Sequence, residues 1–224
     1  IDLEGILGDP KRVDAMIVED CEEMKSRFGN DRRTAIEDAA GDIDLESLIQ
    51  IEDMAVTITR DGYVKRVPAS TYSAQGRGGK GIRAGDNKQG DFVEHLFIAS
   101  THDDLLCFTD TGRVFKLKVY ELPELGRTSR GRAIVNFLGL KPGERTCAYL
   151  NIKNFESGSD YLTFVSRHGV VKRTALKEYR NVNKSGLIAV GLREGDALLN
   201  VALTGGTDDL LLVTAGGMAI RFNE

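Results

Sequence analysis

The residues whose types and spacing best suit chemistry lie in one glycine-rich loop. Residues 75–81 read QGRGGKG, in which Arg77 and Lys80 stand among glycines, and Arg83 follows shortly after. Glycine lets a backbone approach a ligand closely and expose its N–H groups, while the cations can neutralise negative charge. A loop with so little to bury costs conformational entropy to order, so we expect a partner to supply that free energy. The loop therefore predicts a binding site whose partner orders it.

Two familiar nucleotide-binding motifs do not account for this loop. Gly76 to Gly81 formally satisfies GxGxxG, but that motif must leave a strand and open a helix, and the following IRAGDNKQGD contains helix breakers. A Walker A loop requires Ser or Thr after its lysine, whereas Gly81 follows Lys80. No aromatic residue lies in residues 75–81 to stack on a base. Neither motif therefore explains the loop.

From residue 54 onwards the sequence repeats a hairpin pattern. Four segments, MAVTITRDGYVKRV, DLLCFTDTGRVFKL, YLTFVSRHGVVKRT and LLLVTAGGMAIRFN, each place a glycine between two apolar runs. The glycines are Gly62, Gly112, Gly169 and Gly217. A hydroxyl residue stands three positions before each glycine, at Thr59, Thr109, Ser166 and Thr214. Each segment predicts two β-strands joined by a turn whose glycine takes a positive φ.

Such hairpins must stack, because two strands cannot bury an apolar face alone. A period near 50 residues, with a few strands in each unit, is typical of the blades of a propeller-like, mainly β fold. We expect blades to begin near residues 54, 104, 160 and 209. We expect the ring to be incomplete, since the fourth hairpin ends at Glu224 without the tail that follows the other three.

A basic residue recurs four positions after each turn glycine, and a propeller places equivalent positions around one circumference. These register bases are Arg66, Lys116, Arg173 and Arg221. Further bases follow the second and third hairpins, at Arg127, Arg130, Arg132 and Lys184. Together they predict a positive rim that suits a polyanion. The alternative interpretation of each register base is a solvated strand end with no binding role.

The N-terminal part of the chain differs in charge from the rest. Residues 1–53 hold 16 acidic and 6 basic residues, whereas residues 54–224 hold 18 acidic and 24 basic ones. We expect three parts: a packing helix at the end of a coiled coil over residues 1–29, an acidic connector over 30–53, and the β body over 54–224. This asymmetry also favours a polyanionic partner for the body.

The helix is predicted over residues 10–28. Asp9 suits the N-cap, and Pro10 suits the first helical position. Apolar residues recur at spacings of three and four, which gives one apolar stripe for packing against another helix. We expect Gly29 to end the helix in a left-handed conformation.

Enzyme chemistry is not predicted within the chain. The histidines have no repeated carboxylate partner, and the cysteines lack CxxC spacing. These residues are His95, His102, His168, Cys21, Cys107 and Cys147. We predict no catalytic residue, no metal site and no cofactor in the chain. Three free thiols are typical of a reduced cytoplasmic protein, and no apolar run of 18 residues predicts a membrane span.

The loop and its neighbours resemble one known family. Six of seven residues in QGRGGKG match the heptapeptide QRRGGKG, the box of the C-terminal wrapping domain of the DNA gyrase A protein. The segments RFGNDRRTAIED, DIDLESLI, VTITRDGYVKR, GRVFKLKVYELPE and RGRAIVN are also similar to that protein. The box residues would be Gln75, Gly76, Arg77, Gly78, Gly79, Lys80 and Gly81. Gly76 departs from the family, which usually has Arg or Lys at that position.

The resemblance implies a β-pinwheel, a propeller whose four-stranded blades exchange strands, of about six units. DNA would bend around its rim, where the box and Arg83 join the register bases and the bases that follow the hairpins. The binding would be largely independent of DNA sequence and would support ATP-dependent negative supercoiling by a type IIA topoisomerase. Catalytic residues would lie elsewhere in that enzyme, with ATP on the gyrase B protein and Mg²⁺ at the cleavage site.

The resemblance also implies partners and a location. The partners would be the gyrase B protein and a second copy of the gyrase A protein in an A2B2 heterotetramer, in the cytoplasm and associated with the nucleoid. Two alternatives stay open. One is the corresponding domain of a topoisomerase IV, in which the box is usually degraded. The other is a non-enzymatic β-propeller scaffold for acidic protein partners.

Overall fold

The chain forms two compact units, residues 1–44 and 45–224. The computed structural model describes residues 3–31, 33–34, 45–72, 90–156, 158 and 160–224. The first unit is helical where it is described, and the second is built mainly of β-strands. None of the described helices combines the length and the apolar character that a membrane span requires.

The first unit contains α1 (Leu3–Leu7) and α2 (Pro10–Phe28). Asp9 caps α2 as predicted, because its carboxylate accepts a hydrogen bond from the Lys11 N–H at 3.1 Å. The predicted left-handed end at Gly29 is wrong. Gly29 has φ −64° and ψ 135°, and its N–H continues the helical ladder to the Lys25 carbonyl at 2.8 Å. Extended backbone at Gly29 then ends the helix.

The second unit contains thirteen strands within its described residues. They are β1 (Asp53–Thr59), β2 (Tyr63–Pro68), β3 (Val93–Ser100), β4 (Asp104–Thr109), β5 (Arg113–Lys118), β6 (Arg132–Ala133), β7 (Thr146–Ile152), β8 (Tyr161–Ser166), β9 (Val171–Ala175), β10 (Leu187–Ile188), β11 (Leu198–Thr204), β12 (Asp209–Val213) and β13 (Ala219–Asn223). Short 3-10 helices follow β2, β5 and β9.

The strands form four sheets, numbered here as blades 1 to 4. Blade 1 has the order β3-β1-β2-β6, blade 2 has β10-β5-β4-β7, blade 3 has β11-β8-β9, and blade 4 has β12-β13. All four predicted hairpins are present, one in each blade. The predicted mainly β, blade-repeated fold is therefore confirmed, with four strands in each of the first two blades.

The turns explain why glycine and a hydroxyl recur together. The four turn glycines have φ between 80° and 82°, a region that favours glycine. The hydroxyl before each turn accepts a hydrogen bond, at 3.1–3.2 Å, from the backbone N–H four residues later. These bonds join Tyr63 to Thr59, Arg113 to Thr109, Val170 to Ser166 and Met218 to Thr214. The hydroxyl therefore satisfies a donor at the start of each returning strand.

Blades 1 and 2 receive their fourth strand from the following unit. β6 comes after the second hairpin in the chain but pairs with β2 of blade 1. β10 comes after the third hairpin but pairs with β5 of blade 2. The residue after each exchanged strand also bonds to a turn glycine, since the Gly62 carbonyl accepts from the Ile134 N–H at 2.8 Å and the Gly112 carbonyl from the Ala189 N–H at 2.9 Å. We call residues 122–133 and 180–188 the exchanged segments.

The apolar cores lie between successive blades. Cys107 of β4 is buried in a cluster with Ile58 of blade 1, while its neighbour Phe108 is buried in a cluster with Phe164 of blade 3. The rings of Phe108 and Phe164 meet edge to face at 5.7 Å. Successive strand residues point to opposite faces, so β4 contributes to both cores. Blade 2 is therefore packed on both of its faces.

Candidate nucleic-acid interface

Strand exchange decides which blade carries each rim residue. Arg127, Arg130 and Arg132 follow the second hairpin in the sequence, but their exchanged segment lies along β2 of blade 1. Lys184 follows the third hairpin, but its segment lies along β5 of blade 2. The structure therefore places these four bases one blade earlier than chain order suggests.

Three of these bases present their charge to solvent. Arg130, Arg132 and Lys184 are exposed, and their charged groups make no hydrogen bond or ion pair within the described part of the chain. Lys184 lies beside a cavity of about 150 Å³ that Lys116 and Phe115 also line. A cation without an internal acceptor is best placed to neutralise a phosphate.

Arg127 is held differently, by a lysine that the sequence did not single out. Lys65 is only 4% exposed, and its ammonium donates to the carbonyls of Arg127 at 2.5 Å and Ser129 at 2.8 Å. Burial lowers the pKa of Lys65. Arg127 is half-buried, and its Nε has no hydrogen-bond partner among the described residues. Lys65 therefore anchors the loop that carries three of the predicted rim residues.

The register bases of blades 1 and 2 bind backbone carbonyls of the exchanged segments. Arg66 Nε donates to the Leu122 carbonyl at 2.8 Å, and its guanidinium pairs with Glu124 at 3.2 Å. Lys116 Nζ donates to the Arg180 carbonyl at 2.5 Å. Both bases therefore have internal acceptors, and a direct role in binding DNA stays a prediction for them.

The register bases of blades 3 and 4 also have internal partners. Arg173 donates to the Gly206 carbonyl at 3.2 Å and to the Glu224 carboxylate at 3.4 Å. Arg221 Nε donates to the Asp209 carboxylate of its own hairpin at 3.1 Å. Arg221 and Asp209 are both exposed, so that pair is screened by solvent, whereas Arg173 is exposed but pairs with a buried carboxylate.

The glycine-rich loop lies outside the described residues. The box, Gln75 to Gly81, and Arg83 both fall in the gap between residues 72 and 90. Their role in binding DNA stays a prediction.

A second repeated motif supports the hairpin turns. It consists of a positive-φ glycine followed by a carboxylate, in Gly90-Asp91, Gly143-Glu144 and Gly195-Asp196. Each carboxylate accepts a hydrogen bond from the turn of its blade. The donors are the Asp61 N–H at 3.1 Å, the Thr111 hydroxyl at 2.7 Å and the His168 N–H at 3.0 Å. The separations of 53 and 52 residues between these carboxylates are the sequence signal that could have revealed the motif.

Glu144 makes the most complete of these contacts. Its side chain is 1% exposed, and one carboxylate oxygen accepts from the hydroxyls of Thr109 and Thr111, each at 2.7 Å. The other oxygen accepts from the Lys141 N–H and the Arg113 guanidinium, each at 2.8 Å. Burial opposes ionisation, but these hydrogen bonds and the Arg113 charge outweigh it and lower the pKa of Glu144 to about 2. The role is structural, because the charge is fully used inside the blade.

The histidines have structural surroundings. His95 packs edge-on against a tyrosine ring at 5.1 Å, His102 Nε2 lies 3.1 Å from the Glu46 carbonyl, and His168 Nδ1 lies 3.7 Å from Asp196. Within the described ranges, no group of three or more His, Cys, Asp or Glu side chains could hold a metal ion. Among these residues, the cations of the rim are the best candidates for ligand binding.

Comparison with known proteins identifies the family. The model of a family described as DNA gyrase C-terminal domain, beta-propeller, matches residues 53–100, 103–146, 160–204 and 208–224. The chain belongs to this family. Each of the four ranges that match the gyrase C-terminal domain contains one of the four hairpins.

Curated relatives with this domain are similar along the whole chain. The DNA gyrase A protein of Clostridium acetobutylicum is 46% identical over 223 residues, which are 100% of this chain and 27% of the relative. That of Neisseria gonorrhoeae is 45% identical over 224 residues, 100% of this chain and 24% of the relative. The chain therefore spans about a quarter of the length of the curated relatives it matches.

Solved structures of related domains share the fold. The crystal structure of a C-terminal domain of DNA topoisomerase IV has a TM-score of 0.65 and 34% identity, over 78% of this chain and 53% of that one. A DNA gyrase A C-terminal domain has a TM-score of 0.57 and 24% identity, over 77% of this chain and 55% of that one.

Proposed function

We propose that the chain binds and wraps double-stranded DNA, largely without sequence preference, as the C-terminal domain of a gyrase A protein. The observation that carries this proposal is a set of exposed cations, Arg130, Arg132 and Lys184, on the exchanged segments of successive blades; among the described residues their charged groups have no hydrogen-bond or ion-pair partner. Membership of the gyrase C-terminal domain family supports DNA as the polyanion. Cations repeated from blade to blade suit a ligand whose charge also repeats.

The mechanism is electrostatic. Each exposed cation that neutralises a phosphate releases condensed counterions, which provides affinity that does not depend on base sequence. Smooth bending of 20–30 base pairs by 40–90° costs on the order of 1–6 kcal/mol, so several such contacts must offset that energy. The described part of the β unit contains strands and short 3-10 helices but no helix long enough to read bases in a DNA groove. This also favours recognition of DNA by its backbone charge and its bendability.

The box is proposed as a further contact. Arg77 and Lys80 would neutralise phosphates, and the glycines of the box would let backbone N–H groups approach them. Arg83 would extend the same site. Gly76, where the family usually has a base, would remove one phosphate contact from this loop.

The parent assembly is also proposed. Because the relatives are DNA gyrase A proteins, the whole protein would be an ATP-dependent type IIA topoisomerase that introduces negative supercoils. It would act in the cytoplasm, at the nucleoid, with the gyrase B protein and a second copy of the gyrase A protein in an A2B2 heterotetramer. ATP would bind the gyrase B protein and Mg²⁺ the cleavage site, and this chain would contribute DNA wrapping.

A second candidate is the corresponding domain of a topoisomerase IV. It is favoured by the 34% identity and the TM-score of 0.65 with such a domain. The gyrase assignment has the stronger support, because relatives named as gyrase A proteins are 45–46% identical along the whole chain. The near-intact box, with six of seven residues, favours the same choice.

The proposal is tested by the salt dependence of binding to duplex DNA. If about 8 phosphates are neutralised, log K falls with log salt at a slope near −7. The triple variant Arg130→Ala, Arg132→Ala, Lys184→Ala should reduce the magnitude of the slope by about 2.7. The control Lys11→Ala, Lys25→Ala removes exposed charge from α2 and should leave the slope unchanged. A slope near zero would instead favour a scaffold for acidic proteins.

A further inference from the structure

We propose that Arg66 and Lys116 are positioning residues. Each donates a side-chain hydrogen bond, here called a clasp, that holds an exchanged segment against the preceding blade and thereby fixes where the DNA-binding cations lie. The proposal rests on the proposed function, because it assigns these two bases a task within DNA wrapping. It differs from the simpler interpretation of the register bases, in which each contacts a phosphate directly.

The two bases make equivalent contacts in successive blades. Arg66 of β2 donates to the carbonyl of Leu122, and Lys116 of β5 donates to the carbonyl of Arg180. Both acceptors directly follow a short 3-10 helix at the start of an exchanged segment. An arginine and a lysine therefore perform the same task at the same register position, one blade apart.

Arg66 is enclosed by the segment that it holds. Its side chain is 15% exposed, and its charge is paired with Glu124 at 3.2 Å. The backbone adds two bonds, from the Arg66 N–H to the Pro123 carbonyl at 3.0 Å and from the Leu125 N–H to the Arg66 carbonyl at 3.2 Å. A guanidinium that is neutralised and largely buried has little charge left for a phosphate. Its main effect is to hold residues 122–125 against β2.

Lys116 of blade 2 also has an acceptor in its exchanged segment, but no carboxylate pairs with it among the described residues. Its ammonium lies 5.5 Å from the centroid of the Phe155 ring, which is 8% exposed and belongs to the core between blades 2 and 3. The Lys116 ammonium thus bonds to the Arg180 carbonyl and lies within cation–π distance of this ring. The clasp ties the second exchanged segment to blade 2 at a point next to this core.

The clasps lie close to the exposed cations in the chain. Leu122 precedes Arg130 by eight residues, and Arg180 precedes Lys184 by four. Further bases hold the same segments: Lys65 donates to the Ser129 carbonyl at 2.8 Å, and Arg113 donates to a carbonyl of the second segment at 2.5 Å. Release of one clasp should therefore loosen a segment at its start without detaching its strand.

The test compares Arg66→Met with Arg66→Lys and Arg130→Met in the 224-residue chain. Methionine keeps an unbranched side chain that reaches about as far as arginine Nε but cannot donate, whereas lysine should restore the clasp, as Lys116 shows in blade 2. Two quantities are measured on fluorescently end-labelled duplex DNA: the salt slope of binding and the bend, by energy transfer. A lost phosphate contact lowers the magnitude of the slope by about 0.9, whereas a lost clasp leaves the slope unchanged.

We expect Arg66→Met to keep the salt slope and reduce the bend, Arg66→Lys to restore the bend, and Arg130→Met to lower the slope. Of the three variants, only Arg66→Met should show faster amide hydrogen exchange over residues 122–129 in the absence of DNA. A slope lowered by about 0.9, with normal exchange and bend, would make Arg66 a phosphate contact and overturn the proposal.

Two controls keep the outcomes separate. If Arg66→Met does not fold, Lys116→Met and Lys116→Arg carry the same comparison, with exchange followed over residues 180–188. If the unmodified chain shows no salt-dependent binding, the proposed function fails. Hydrogen exchange in the variants would still show whether the clasp exists.

Discussion

Replacement of Glu144 by glutamine should remove a defined part of the stability at neutral pH. In the folded chain the pKa of this carboxyl falls from 4.5 to about 2, because four donors face its two oxygens in a buried site. A shift of this size corresponds to roughly 3 kcal/mol of stability. In Glu144→Gln the amide can turn its carbonyl to the Lys141 N–H and the Arg113 guanidinium and its NH2 to the threonine hydroxyls, but the charge that pairs with Arg113 and strengthens these hydrogen bonds is lost.

The pH dependence has a definite sign. A carboxyl with a lowered pKa stabilises the fold above pH 4.5, and that contribution is lost as the pH falls towards 2. Urea unfolding at a series of pH values should therefore show Glu144→Gln less stable by roughly 3 kcal/mol at pH 7. The difference from the unmodified chain should shrink steadily as the pH falls from 4.5 towards 2.

The matched control is Glu156→Gln. The carboxylate of Glu156 pairs with Arg180 at 2.6 Å, but both side chains are about two-thirds exposed, so its loss should cost less than about 1 kcal/mol. Equal losses in the two variants would refute the reasoning about burial. If the loss of stability in Glu144→Gln stayed constant from neutral pH down to the lowered pKa, the assignment of that pKa would be refuted.

Two further predictions concern a turn and the thiols. Gly112→Ala should destabilise the fold by more than ~2 kcal/mol in thermal unfolding, because φ is 82° and the new Cβ would lie 2.3 Å from the Val190 carbonyl oxygen. Gly169→Ala is the control. It has φ 80° and no atom within 4 Å of the new Cβ, so it should cost only ~1–2 kcal/mol. Equal losses would show that Val190 does not pack on Gly112. Cys21 is exposed whereas burial raises the pKa of Cys107, so native alkylation followed by mass spectrometry should label Cys21 and spare Cys107 until urea is added.

The hairpins could be predicted because their signals are local. A tight turn requires φ above zero at one position, which selects glycine, and a hydroxyl three residues earlier satisfies the next free N–H. Gly62 and Thr59 show both features within one short stretch of sequence. The positions of the strands follow from the same repeat, because the apolar runs flank each turn.

The partners of the exchanged strands could not be predicted from the repeat itself. Chain order places Arg130 with the second hairpin, but pairing of β6 with β2 moves it to blade 1, and a two-residue strand has too little pattern to reveal its partner. The resemblance to a β-pinwheel implied exchange without giving the residues involved. The register bases show the same difficulty, because a base at a strand end gives no sign that a carbonyl of another unit will accept its hydrogen bond.

Lys65 was missed for a related reason. A lysine in a strand is usually a solvated residue, so its charge gave no sign of burial. Its two acceptors are the carbonyls of Arg127 and Ser129, which lie more than sixty residues later in the chain. Only the exchange of segments brings them to blade 1.

The claim that this chain wraps DNA is tested most directly by the linking number of a nicked circular DNA that is saturated with the chain and then re-ligated. Wrapping on the rim predicts a linking-number shift of one sign, which grows with the amount of bound chain. The shift should be lost or strongly reduced in the variant Arg130→Ala, Arg132→Ala, Lys184→Ala. Binding without a shift, or an equal shift in that variant, would contradict wrapping on this surface.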